Sequence, residues 1–367
     1  MENSNNEVRT IDIVKHYLAS VLIYGLILFG LVLCPAYYET VDNDIFDYSG
    51  VFAIYFIAYF LFAPVIFAIF KPKSILESRS LTILGYFTRQ FKKGVPVEDF
   101  LKNIEPNEKE KKALMTLFVQ VFFGAYCVNT LCNNYLLNLG YNIDFLKVMF
   151  DQAVQYASTN GIYLGLIQYL IDTGDMWLKL ILTVNITVLA ISYLSELTIF
   201  KNKIKSVDTT PLGVLCCIAC YYPVTLLTYK FLQVTEESLL PVKNQVLLAV
   251  LNLLIIIVNI GSMFAILRLG TKSGNLTNRG IVTGFPYNIV RHPDYIMQIF
   301  YIILTTIPLW IAADIDGLSK IIMTIATLGW IFIYYLRAVT EERHLIQDPE
   351  YQKYIEKVKY RFIPKIF

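Results

Sequence analysis

Eight apolar runs decide what this chain can become. They fall at roughly 16–38, 49–70, 113–134, 176–200, 212–232, 244–268, 295–313 and 319–337. Crossing the hydrocarbon core of a bilayer takes about 20 such residues in a helix. Charge is correspondingly scarce, at 16% of residues against 56% hydrophobic, with a mean hydropathy of +0.53. Soluble domains carry about 25% charge, so the chain is read as an all-α, polytopic integral membrane bundle of about eight helices.

The connections between the runs alternate in sign. Residues 39–48 hold Glu39, Asp42, Asp44 and Asp47 and no base, whereas 71–112 holds ten Lys and Arg. "KNKIK" at 201–205 is basic, Glu236 and Glu237 follow the fifth run, and Asp314 and Asp316 follow the seventh. Eight spans with this alternation put both termini, the 269–294 loop and the 338–367 tail on the basic side. The polar, acidic start "MENSNNEVRTIDIVKHY" is not a cleavable signal pattern. A net charge of +2 gives no sign of a nucleic-acid partner.

Segment 71–112 is the one long polar connection. Its first half, "SILESRSLTILGYFTRQFKK", has the helical alternation of a segment lying in the membrane interface. Pro106 then precedes a helix start that runs into the third span. Segment 142–173 fits a re-entrant, an interfacial or a half-paired helix. The six cysteines lie in or beside apolar runs and read as small buried hydrophobes. Cys217 and Cys220 form a C-x-x-C without the second pair or histidines of a metal site. The polar residues inside spans, Gln120, Asn129, Asn185, Glu196, Asn252 and Asn259, read first as interhelical hydrogen-bonding groups. Tyr55, Tyr59, Tyr126, Tyr221 and Tyr222 are candidates to line a lipid-shaped pocket.

The chemistry gathers in the last hundred residues. "TKSGNLTNRGIVTGFPYNIVRHPD" (271–294) is a Gly-rich polar loop entering a span at Tyr295, and the hairpin 295–337 returns to deliver "RAVTEERHLIQDPEYQKYIEKVKYRFIPKIF". Two distant polar segments thereby meet at one membrane surface. They bring Arg291, His292, Tyr295, Glu341, Glu342, Arg343, His344, Tyr351, Tyr354 and Arg361. Arginines fork onto phosphate or carboxylate, glutamates accept from ribose hydroxyls or an ammonium, and tyrosines stack on adenine. The same set also suits a charged cuff that merely anchors the hairpin.

"PYNIVRHPDY" followed by "EERHL…PEYQKY…RFIP" resembles the C-terminal module of a membrane superfamily. It joins the isoprenylcysteine carboxyl methyltransferases and phospholipid methyltransferases to the steroid 5α-reductases and the sterol double-bond reductases. The resemblance covers about 270–367. It implies two domains, an N-terminal bundle 1–268 and a module 269–367. It also implies that the RHPxY loop and the EE…Y..Y…IP tail surround S-adenosylmethionine or NADPH, and that a lipid enters between helices. On this reading Arg291, His292, Tyr295, Glu341, Glu342, Arg343, Tyr351, Tyr354 and Arg361 bind the cofactor. The short Asp348-Pro349-Glu350-Tyr351 spacing and the terminal "IPKIF" are similar to the reductases. Three departures stand out: Gly284 lies seven, not six, residues before Arg291; Met297 replaces a small residue; and Gln298 replaces an acid.

Three functions follow. The first is NADPH-dependent reduction of a lipid C=C bond, with Arg291, Arg343 and Arg361 on phosphates and Tyr295, Tyr351 and Tyr354 about adenine and ribose. The second is methyl transfer from S-adenosylmethionine to a lipid amine or a prenylated thiol or carboxylate. There Glu341 or Glu342 takes the methionine ammonium and Arg291 its carboxylate. The third, suggested by the departures, is a non-catalytic subunit of a large membrane assembly such as a respiratory complex. The expected setting is the endoplasmic reticulum or the mitochondrial inner membrane, with membrane lipids as neighbours or substrate.

Overall fold

The computed structural model describes residues 7–33, 48–94, 106–131, 145–196, 200–232, 242–311 and 315–365. The acidic residues 39–47, Glu236, Glu237 and Asp314, together with Cys34, Cys132 and the last two residues, lie outside them. The chain is an all-α polytopic membrane protein. Seven of the described helices are long and apolar enough to cross a bilayer. Two compact units form, 1–129 and 130–367.

In the first unit, α1 (Thr10–Val32) packs on α2 (Tyr48–Phe70) and on the amphipathic α3 (Arg79–Lys92). Pro64 inside α2 has no N–H for the carbonyl of Phe60. Tyr17 of α1 supplies the missing donor, its hydroxyl 2.8 Å from Phe60 O. The interfacial helix expected at 74–93 is α3, which buries Ser80, Ile83, Tyr86 and Gln90 on one face. Polar pairs fix it to α1: Ser20 Oγ donates to Ser80 Oγ at 2.8 Å, and His16 Nδ1 lies 2.7 Å from Ser78 Oγ. At α4 (Glu108–Thr130), Asn107 and Glu110 cap each other's backbone N–H, at 2.9 and 3.0 Å. Gln120 accepts from Arg79 at 3.1 Å.

The first described helix of the second unit is α5 (Phe145–Leu194), which contains residues 145–173 of the segment left open as 142–173; residues 142–144 lie outside the described residues. Gly161, at φ 77° and ψ 163°, breaks it into two helical arms. The arms meet so closely that a Cβ on Gly165 would lie 2.5 Å from Tyr156 O, a contact only glycine permits. Tyr156 then bonds Asp172 across them at 2.7 Å.

The run 212–232 is not the single span its hydropathy suggests. It is two eight-residue helices, α6 (Pro211–Ile218) and α7 (Val224–Phe231), with a turn at 219–223 that contains Pro223. Broken backbone at membrane depth is tolerated where protein buries it or where it lines a cavity. Here Thr228 Oγ1 donates to the freed carbonyl of Ala219 at 2.9 Å, and Trp330 Nε1 donates to Leu232 O at 3.1 Å.

Helix α8 (Gln245–Leu269) runs beside α5, and α9 (Pro293–Ile311) and α10 (Gly317–Leu345) form the final hairpin. Asn252 of α8 donates to Leu170 O at 3.1 Å, an interhelical bond of the kind expected for these asparagines, whereas Asn259 turns back to Ile255 O of its own helix. At one end of the unit the C-termini of α5, α8 and α10 gather. Ser192 donates to the carbonyls of Thr271 and Ser273, and Asn275 N donates to Tyr193 Oη at 2.7 Å. A two-residue antiparallel ribbon, β1 (Ser206–Val207) with β2 (Thr277–Asn278), ties the loops there. A short helix, α11 (Pro349–Lys357), closes that end.

Candidate functional site

The RHP loop and the tail are joined by backbone: Arg291 N donates to Tyr360 O and His292 N to Arg361 O, both at 3.0 Å. The meeting of two polar segments read from the sequence is therefore present. Glu342 sits at its centre. Its carboxylate accepts from Arg361 Nε (3.0 Å) and Nη2 (2.8 Å), and His292 Nε2 lies 3.0 Å away. Arg291 Nε is 3.1 Å off but at an angle that makes no hydrogen bond. The Glu342 and Arg291 side chains are only 13% and 15% exposed. This clasp consumes four of the nine expected cofactor residues in one internal ion network.

Glu341 goes elsewhere. Adjacent residues on a helix project about 100° apart, so Glu341 leaves the clasp and lines a cleft with Tyr295, Arg337, Asn275, Cys217 and His344. Tyr295 donates to Glu341 Oε2 at 2.7 Å. Its ring stacks on His292, centroids 5.2 Å apart and planes within 11°. The next nitrogen to Glu341 is His292 Nδ1 at 3.8 Å; among the described residues no arginine or lysine pairs with it.

Arg337 is the residue the sequence reading passed over. It is 6% exposed, donates to Asn275 Oδ1 at 3.0 Å, and has no carboxylate within pairing distance among the described residues. Three tyrosine rings surround it, with Tyr295 at 4.8 Å, Tyr334 at 5.3 Å and Tyr221 at 5.6 Å. Arg337 and Glu341 stand four apart on α10, the spacing of a helical ion pair. Tyr295 is inserted between them, its hydroxyl on one and its ring face on the other. The signal was available: an ionisable residue inside an apolar run is a site by default, and the run 319–337 includes Arg337. Ending that run at 337 made Arg337 look like the start of the tail.

The remaining expected residues are dispersed. Arg343 turns to Asp208 (3.5 Å) and the hydroxyl of Thr210. Thr210 caps α6 by accepting from Gly213 N at 3.3 Å. Tyr351 and Tyr354, 3% and 5% exposed, belong to a core cluster with Ala265, Tyr287 and Val358. Tyr354 donates to Tyr287 O at 2.6 Å, and burial holds both phenols well above their ordinary pKa. Met297 is met by Gly261, where a Cβ would lie 2.9 Å from its sulfur. The bulk added on α9 is matched by space on α8. Gln298 donates to Ser262 Oγ at 3.2 Å, whose own hydroxyl donates to Asp294 at 2.5 Å.

Asp348 anchors α11. It accepts from Glu350 N (2.9 Å), Asn278 Nδ2 (2.8 Å) and Lys205 Nζ (3.2 Å). Burial would raise its pKa, but these donors outweigh that and hold it below the ordinary value. A carboxylate with a depressed folded pKa stabilises fully above its unfolded value, about 4, and loses this as pH falls through the folded one. Asp348→Asn keeps the cap but loses the charge that strengthens the bonds from Lys205 and Asn278; it is therefore expected to loosen the tail by about 1 kcal/mol at pH 7, with the gap to wild type shrinking below pH 4. Hydrogen exchange of residues 349–358 reads it; an equal gap at pH 3 and pH 7 would refute the carboxylate's role.

The fold and site define a polytopic membrane protein that holds a polar, ion-lined cleft at one end of its C-terminal helices. Residues 240–347, less than a third of the chain, match the isoprenylcysteine carboxyl methyltransferase (ICMT) family. The C-terminal region thus resembles the superfamily that joins this family to the steroid 5α-reductases and sterol reductases. No curated protein and no solved structure gives a significant match to the chain.

Proposed function

We propose that the cleft is a methyl-transfer site, taking S-adenosylmethionine and a carboxylate carried on a membrane-embedded lipid. One observation carries the reading: Tyr295 keeps Glu341 and Arg337 apart, so the cleft offers a carboxylate and a guanidinium that do not neutralise each other. The donor set fits the cofactor. Glu341, which pairs with no arginine or lysine among the described residues, suits its ammonium. When bound, this cofactor supplies an electrophilic methyl on a positive sulfur.

The chain's own part is electrostatic and positional. Arg337, held by three rings and Asn275, fixes an acceptor carboxylate in one orientation with its lone pairs exposed. Glu341 holds the opposite charge across the Tyr295 ring. Methyl transfer from a cation to an anion removes both charges, so a dry, apolar surround favours the step. NADPH is the poorer fit, because a diphosphate needs cations. Arg291 and Arg361 are engaged by Glu342, and Arg343 by Asp208.

Calorimetric titration of the purified chain with S-adenosylmethionine and, separately, NADPH tests this directly. Saturable binding of the first is expected, weakened roughly tenfold or more in Glu341→Gln by loss of a charged hydrogen bond. Binding of NADPH alone would replace methyl transfer with reduction; binding of neither by a folded sample would leave the domain without a cofactor.

A further inference from the structure

A second feature lies outside the cleft, where the chain leaves α5 through Lys201-Asn202-Lys203-Ile204-Lys205. Exposure alternates along it: the three lysines face out, while Asn202 and Ile204 are 0% and 4% exposed. From Asn202 to Lys205 that is the two-residue period of an extended chain, which sets alternate side chains about 7 Å apart along one edge.

The inward residues are pinned. Asn202 Nδ2 donates to Ser195 O at 2.7 Å, and Asn202 O accepts from buried Arg279 Nη1 at 3.0 Å. Ile204 N donates to Glu196 Oε1 at 3.2 Å, and Lys205 N to Asn278 O at 2.8 Å. Lys201 is held at φ 49°, a left-handed conformation that a lysine rarely adopts. Beside this edge Lys272 Nζ and Lys205 Cε converge over Gly280, 3.2 and 3.9 Å from where its Cβ would lie. Lys205 also meets Asp348 (3.2 Å) and Glu350 (3.4 Å).

The position completes the argument. The comb follows the α5 span, and Lys272 ends the α8 span, so the ammonium groups stand at the depth of lipid headgroups. A mobile charged loop would need none of these four hydrogen bonds. We infer that Lys201, Lys203, Lys205 and Lys272 form a rigid seat for the phosphate of anionic phospholipid headgroups, independent of the methyl-transfer cleft.

The test uses the full chain in nanodiscs of phosphatidylcholine with or without phosphatidylserine, with retained lipid counted by native mass spectrometry. Wild type should keep the anionic lipid preferentially. Lys201→Gln and Lys203→Gln should each cut that preference about fivefold, with cofactor binding to the cleft unchanged. Equal retention by the double variant, when its melting temperature matches wild type, overturns the proposal. So does full displacement of the lipid by millimolar inorganic phosphate, which would make the seat a free-phosphate site. If the double variant misfolds, Lys272→Gln alone must reproduce the loss, and its failure to do so counts equally against the seat.

Discussion

Glu342→Ala is expected to cost about 3–5 kcal/mol and to release the tail from the RHP loop. The size follows from what is left behind: breaking a buried ion pair strands its partners without compensation. Arg291, His292 and Arg361 converge on this one carboxylate, with Arg291 and Arg361 only 15% and 19% exposed. With it gone, the cheapest response is to expose the guanidiniums, which pulls residues 360–361 off Arg291 and His292. A melting curve in detergent and limited proteolysis after residue 345 read both consequences. Glu342→Gln keeps an acceptor but no charge and should fall between. A melting temperature within a degree of wild type would mean that the clasp is ornamental.

Arg337→Met should do the reverse, leaving the fold and removing the reaction. Among the described residues no carboxylate lies within ion-pairing distance of Arg337, so an apolar side chain of similar volume strands no paired charge, and such exchanges are often neutral or stabilising. Methionine also contacts aromatic rings well, which offsets the three lost cation–π contacts. What vanishes is the group that would hold the acceptor. Loss of one preorganised charged donor typically lowers turnover 10²–10³-fold, and that fall is expected here with S-adenosylmethionine affinity unchanged. Arg337→Lys keeps the charge but not the planar stacking and should recover only part. Unaltered turnover in the methionine variant would remove Arg337 from the site.

The sequence exposes what depends on local composition. Apolar runs locate most spans, the alternation in 74–93 locates α3, and the placing of polar loops on one face brings residues 271–294 to the tail. It conceals whatever depends on pairing across the fold. Hydropathy summed over 212–232 cannot register that Ala219, Leu232 and Pro223 make two helices of it. Glu341 and Glu342 read as a pair because they are neighbours in sequence, although a helix points them into different environments. Met297 looks like damage to a family pattern until Gly261, 36 residues earlier on α8, is seen against its sulfur. Tyr351 and Tyr354 look like an adenine platform because nothing local announces the core cluster they fill.

The stitch between the RHP loop and residues 360–361 also orders events during synthesis. Arg291 and His292, and then the α9–α10 hairpin that carries Glu342, are synthesised before the segment that pairs with their backbone. A chain stopped between Leu345 and Tyr360 has Glu342 to pair with Arg291 and His292 but no acceptors for their two backbone N–H groups. Residues 360–361 thus supply the last acceptors that the RHP loop needs, after every other part of the clasp has been made.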